Sequence, residues 1–139
     1  MLKQVTVFLE NKKGRLSELT RVLANAGINM YALTIAETSD YGLVRIVCDK
    51  PEEAVDALRA ANLRALVTKV LAVEVPNRPG GLAELLETFD SLDLNIEYGY
   101  CFSVGKTEAV DVLKVSEIET AAKKIADAGY RVVTADDLA

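Results

Sequence analysis

The run Asn77-Arg78-Pro79-Gly80-Gly81-Leu82 has the composition of a loop that holds a small anion. Gly80 and Gly81 permit the tight backbone with which a strand turns into a helix. Pro79 sits where a rigid turn leads into a first helical turn. A helix that opens on small residues keeps its first N–H groups uncovered, and these, with the helix dipole, favour a carboxylate. Leu82 is expected to anchor the helix in the core. Asn95, farther along, carries an amide that both donates and accepts. An α-amino acid presents the matching pair, a carboxylate beside an ammonium. The same residues also suit a purely structural role, since any tight strand-to-helix turn favours Gly and an Asn readily caps the start of a strand.

The pattern occurs twice. Asn11-Lys12-Lys13-Gly14-Arg15-Leu16 precedes it, and Ile28-Asn29-Met30 corresponds to Leu94-Asn95-Ile96. Asn77 and Asn95 each stand 66 residues after their counterparts Asn11 and Asn29 (77 − 11 and 95 − 29). Two copies in register imply two copies of one folded unit, assigned to residues 1–69 and 70–139.

The elements around the motif read in the same order in both copies. Residues 3–9 alternate, with Val5, Val7 and Leu9 on one face, and form a strand. Leu16, Leu19, Val22, Leu23 and Ala26 fall on one helical face, and Gly27 stops the helix. Residues 28–37 and 43–48 form a hairpin around a turn at 39–42. Asp49 is a candidate cap and Pro51 a first-turn residue for a helix carrying Ala54, Val55, Leu58 and Ala61. Residues 63–69 close the unit as a fourth strand. In the second copy residues 70–75, 94–104 and 108–115 are strands. Leu82, Leu85, Leu86, Phe89 and Leu92 mark one helix. Ser116 with Glu119 predicts a capping box for another, which Gly129 ends before a last strand at 130–134. Each copy is β-α-β-β-α-β. The fold class is therefore α+β: two tandem ferredoxin-like units with antiparallel sheets and helices on one face. The apolar stretch 66–75 crosses the boundary with no flexible linker.

Composition narrows the chemistry. The 139 residues carry a net charge of −5, which argues against a nucleic-acid partner, because that needs clustered Lys and Arg. No apolar run is long enough to span a bilayer, and the N-terminus runs straight into a strand rather than a signal segment. A cytoplasmic protein with two buried, reduced thiols at Cys48 and Cys101 is expected. With no His in the chain there is no Ser-His or Cys-His nucleophile, and no Cys or His spacing suits zinc. Walker and dinucleotide-binding loops are absent, so no cofactor is expected. Glu74 and Glu97 carry no mark of paired catalytic carboxylates, and Glu52-Glu53 and Asp136-Asp137 read as solvated surface.

Residues 77–82 followed by a helix and Leu94-Asn95-Ile96 resemble the ACT-domain family, regulatory modules that bind amino acids or other small effectors. Residues 11–16 and 28–30 resemble a second, more diverged copy, so the likeness covers essentially the whole chain. The resemblance implies an amino-acid effector held where two such domains meet. Asn77, Pro79, Gly80, Gly81 and Leu82 would line that site with Asn95 and Ile96, or with Asn29 and Met30 of the partner half. The equivalent site at Asn11, Gly14, Arg15 and Leu16 departs from the pattern: Lys13 replaces the Pro, and Arg15 the second small residue. Arg15 either covers that site or reaches the acid of a ligand held at the other. Tyr98 and Tyr100 face one side of their strand and either cap an apolar effector side chain or pack in the sheet. A homodimer and a regulated metabolic enzyme are the expected partners.

Two rivals remain open at this level. One is a small hydrolase on the same fold, with Arg15 and Asn29 on a phosphate. The other is a subunit that docks on an enzyme and binds nothing small. An RNA-recognition module shares the topology, but a basic stripe and clustered stacking aromatics are missing.

Overall fold

The computed structural model describes every residue except Ser39 and Val104, so the expected turn at 39–42 and strand at 94–104 each have one position outside the described residues. The elements are β1 (Leu2–Glu10), α1 (Arg15–Asn25), β2 (Met30–Glu37), β3 (Tyr41–Cys48), α2 (Pro51–Ala60), β4 (Arg64–Pro76), α3 (Gly81–Ser91), β5 (Ile96–Ser103), β6 (Glu108–Val115), α4 (Ile118–Asp127) and α5 (Ala135–Leu138). The chain forms two compact units, Lys3–Thr68 and Lys69–Ala139 with Met1–Leu2.

In the first unit the strands lie in the order β2-β3-β1-β4. Val5 pairs with Ile46 and Val7 with Val44, so β1 and β3 turn these residues to the same face. Helices α1 and α2 cover that face through Leu19, Leu23 and Leu58, all fully buried. Each such leucine stabilises the unit by roughly 1.5–3 kcal/mol relative to exposure. The opposite face of β1 buries polar groups and satisfies them: the Gln4 amide donates to the Thr6 hydroxyl at 2.9 Å, and the Thr6 and Thr68 hydroxyls lie 2.9 Å apart.

The second unit carries the order β4-β6-β5. Leu71, Val73 and Val75 of β4 pack with Leu85 and Phe89 of α3, Leu113 of β6 and Ile125 of α4. Antiparallel strands with helices on one face, in two ferredoxin-like units, is the class the periodicity implies.

Several local expectations are corrected. The strands expected at 63–69 and 70–75 are one continuous strand, β4. The expected last strand at 130–134 shrinks to a single bridge between Val73 and Val132, after which Thr134 and Asp137 form a capping box for α5. Ser116 and Glu119 form no such box: Glu117, at φ 51°, is the residue that enters α4, and no side chain caps it. Asp49 does not cap α2 either. Its carboxylate accepts the Asn29 N–H at 2.9 Å, tying the start of β2 to the end of β3. Leu82 does not anchor its helix, since it is exposed, and Leu16, expected on the apolar face of α1, is exposed as well. Cys48 is buried as expected, but Cys101 is exposed; both are free thiols.

Candidate functional site

The two motif loops adopt one geometry. Gly14 and Gly80 hold φ of 87° and 89°, the left-handed conformation that favours glycine. The Arg15 N–H donates to the Lys12 carbonyl at 3.2 Å, and the Gly81 N–H to the Arg78 carbonyl at 3.1 Å. Glu18 and Glu84 return to the Gly14 and Gly80 carbonyls, each at 3.0 Å. Between these bonds the amides of Leu16 and Ser17, and of Leu82 and Ala83, have no hydrogen-bond partner among the described residues. Each helix thus presents two free N–H groups at its positive end.

Asn11 and Asn77 hold the loops in place. The Asn11 N–H donates to the Asp40 carbonyl at 3.0 Å and its side chain reaches the Thr38 carbonyl at 3.4 Å. The Asn77 N–H donates to the Thr107 carbonyl at 2.8 Å, and its side chain reaches the Lys106 carbonyl at 3.5 Å. Each Asn therefore joins its strand-to-helix loop to the tip of the neighbouring hairpin.

At the two loops Lys12, Arg15 and Arg78 are already paired. Arg15 meets Glu18 at 2.9 Å and Glu10 at 3.8 Å, and Lys12 meets Glu10 at 2.8 Å. The Lys12 hydrogen bond, then the charges of Lys12 and Arg15, hold the Glu10 carboxyl below its usual range. Arg78 lies over the start of α3 with its guanidinium 3.0 Å from Glu84. Beside the first loop is a cavity of 170 Å³ lined in part by Arg15, Leu16, Ile35 and Val44. A larger one, of 680 Å³, lies between Phe8, Arg15, Glu18, Tyr41, Asn62 and Arg64. The Arg64 guanidinium sits 5.3 Å from the centre of the Phe8 ring. None of the motif residues other than Arg15 lines this larger cavity. Its signals were Phe8, an aromatic on the polar face of β1, and Asn62, which ends α2 at φ 64°.

The other expected residues lie elsewhere. Met30 and Ile96 begin β2 and β5, where they pair with Cys48 and Val115. The loops lie at the opposite ends of those strands, where Glu37 pairs with Gly42 and Ser103 with Ala109. Seven residues of strand separate the two ends, roughly 23 Å. Within one unit, then, Asn29 and Met30 are not brought to residues 11–16, nor Asn95 and Ile96 to residues 77–82. Tyr98 and Tyr100 pair with Lys114 and Val112, half-buried on the face away from the helices.

One pair was missed. Asp111 is only 2% exposed on the helix side of β6. Its Oδ1 accepts the Cys101 thiol at 3.1 Å, and its Oδ2 has no partner among the described residues. Burial pushes the Asp111 carboxyl up. Partial burial of the sulfur and the neighbouring carboxylate push the Cys101 thiol from 9.0 to about 12. A charged residue at a core position of an otherwise apolar run, 109–113, was the available signal. Among the described residues no group of three or more His, Cys, Asp or Glu is placed to hold a metal, and no helix is long and apolar enough to cross a membrane.

A family model described as an ACT domain pair matches residues 1–139. Protein BT0572 from Bacteroides thetaiotaomicron is similar at 36% identity and a TM-score of 0.93, covering 99% of this chain and 94% of that one. The ligand-free regulatory subunit of aspartate kinase from Thermus thermophilus is similar at 16% identity and a TM-score of 0.68, covering 91% and 92%. That from Thermus flavus gives 16% and 0.63, covering 91% of each chain. No curated protein matches the sequence.

Proposed function

Because this chain belongs to the family of ACT domain pairs, we propose that it is a regulatory, effector-sensing protein of the cytoplasm, built of ACT-like domains at 1–69 and 70–139. The ligand is a small amino acid or related carboxylate, and the chain itself carries no catalysis. The observation that carries this reading is the pair of unpartnered amides at the start of each motif helix, Leu16 with Ser17 and Leu82 with Ala83. A carboxylate placed there accepts both hydrogens and meets the positive end of the helix dipole. Asn29 and Met30, or Asn95 and Ile96, lie too far along their own sheets to reach the same guest, so a like domain has to supply them. This is the sense in which the site belongs to an ACT–ACT interface and in which a homodimer completes it.

Binding regulates only so far as the guest prefers one arrangement of the domains or of a partner enzyme over another. The Thermus neighbours are by title regulatory subunits of aspartate kinase; at 16% identity they support the fold and leave the regulated enzyme of this chain open. Calorimetric titration with the twenty amino acids tests the reading. Saturable heat with at least one of them is expected, and flat traces from folded protein would remove the effector. A second reading, a subunit that only docks, is favoured by Leu16, Leu33 and Ile35, which are 38%, 38% and 45% exposed. Flat titrations together with self-association through that patch would select it.

A further inference from the structure

We infer that Asp111, with Cys101 beside it, is a recognition site for a ligand's ammonium group, present in the second unit and missing from the first. This rests on the carboxylate-binding reading above and names the second group its ligand carries.

The two units differ at corresponding places on the helix side of their sheets. In the first, Ile35 pairs with Val44 and Leu33 with Ile46. In the second, Cys101 pairs with Asp111 and Gly99 with Leu113. Ile35, Val44 and Leu16 line the 170 Å³ cavity beside the start of α1. Their counterparts by register and repeat are Cys101, Asp111 and Leu82. An apolar wall is thus replaced by a carboxylate.

That carboxylate is incompletely used by the protein. A charge 98% removed from solvent is costly unless it is paired. None of the ion pairs among the described residues involves Asp111. Cys101 occupies Oδ1 with a neutral donor and Oδ2 accepts nothing. The adjoining strand is bare at Gly99, where an added Cβ would lie 3.9 Å from Oδ1. The raised carboxyl is the behaviour of an acid that lacks a cation. An ammonium donor on the ligand supplies it. The N–H groups of Leu82 and Ala83 then hold the ligand's acid, and Asp111 holds its amine. Glu108 pairs with Pro76 at the loop and Asp111 follows three residues later, about 10 Å along the strand. The ammonium therefore comes either from an α-amino group or from the far end of a longer chain.

The test is calorimetry on the full chain, comparing the twenty amino acids, 5-aminopentanoate and pentanoate. Wild type is expected to bind an amine-bearing probe more tightly than its amine-free match. Asp111→Asn is expected to weaken the amine-bearing probe by roughly tenfold or more and to leave pentanoate unchanged. Loss of 5-aminopentanoate binding in Asp111→Asn assigns the far-end amine, and loss confined to amino acids assigns the α-amine. Equal affinity of the amine probe for wild type and Asp111→Asn overturns the inference while the carboxylate site stands. No binding of any probe to wild type overturns both. If Asp111→Asn does not fold, Asp111→Val, with the residue type of Val44, gives the same comparison.

Discussion

A Cβ built on Gly81 would stand 2.3 Å from the carbonyl oxygen of Pro76, the last residue of β4. The contact is with backbone, so no side-chain rotation relieves it. Gly81 is therefore required by the close return of the loop, beyond leaving the helix start uncovered. The matching position of the first unit is Arg15, and the loop there makes room for a side chain.

Gly81→Ala should consequently destabilise the protein by about 1–3 kcal/mol, through forced displacement of the loop. Gly80→Ala acts by a different route, placing a side chain at φ 89°, at a cost of about 1–2 kcal/mol. Urea midpoints measure both. An unchanged midpoint for Gly81→Ala would show that the loop closes without the observed approach.

Phe89 and Phe8 give the contrast between a core and a surface aromatic. Phe89 is fully buried against Leu85 and Ile125, and Phe89→Ala should cost about 3–5 kcal/mol. Phe8 is 37% exposed under Arg64, and Phe8→Ala should cost about 1 kcal/mol or less. Equal losses in chemical unfolding would contradict the assignment of the second core.

The parts of this fold visible in the sequence are those carried by side-chain period. Val5, Val7 and Leu9 alternate, Leu19 and Leu23 repeat at helical spacing, and a shift of 66 residues reproduces the motif. What escaped depends on partners in space. Residues 63–69 and 70–75 read as two strands where the fold has one, Arg64–Pro76, because alternation does not say where a strand ends. The segment at 130–134 has strand composition but makes one bridge, with Val133 donating to Ala72 and Arg131 accepting from Glu74. Ser116 has the right identity for a cap, yet Glu117 takes the left-handed turn and carries the chain into α4. At the site, the loops were legible as loops. That Asn95 lies a strand's length from Gly80 is a matter of topology, and that Cys101 meets Asp111 is a matter of register; neither is written in local spacing.

Asp111 should leave a signature in the dependence of stability on pH. Its carboxyl is raised in the fold, chiefly by burial, so the native state keeps the proton at pH values where the unfolded chain has lost it. The contribution is present below the unfolded carboxyl, near about 3.9, and is lost as pH rises through the folded value. Asp111→Asn abolishes that loss. The variant should therefore gain on wild type as pH is raised through this window. Glu10, Glu52 and Asp137, which are lowered, act in the opposite sense but are common to both proteins and cancel in the difference. Paired urea titrations from acid to neutral pH test this; a wild-type-to-variant gap that does not change with pH would reject it.

Cys101 is exposed, yet it should alkylate slowly. A thiol pushed from 9.0 to about 12 holds roughly a thousandfold less thiolate at neutral pH, and the thiolate is the nucleophile. Asp111→Asn removes a negative charge beside the sulfur and should speed the reaction. Mass-resolved labelling with iodoacetamide follows each thiol separately. Rapid labelling of Cys101 in wild type would mean that burial of the sulfur and the Asp111 carboxylate do not hold the proton.

Strand β2 lies at one end of the strand order and carries Leu33 and Ile35 on the helix side, 38% and 45% exposed, with Leu16 of α1 at 38%. Leu33 and Ile35 pair with Ile46 and Val44, so they extend the first core to the sheet margin. An open strand edge beside an apolar patch is a place where a second copy gains both ladder hydrogen bonds and buried area. Wild type should sediment as a dimer at micromolar concentration, and Ile35→Lys, which sets a charge in the middle of that patch, should sediment as a monomer without loss of fold. If Ile35→Lys remains dimeric, association runs through another surface; a monomeric wild type would remove the homodimer from the proposed mechanism altogether.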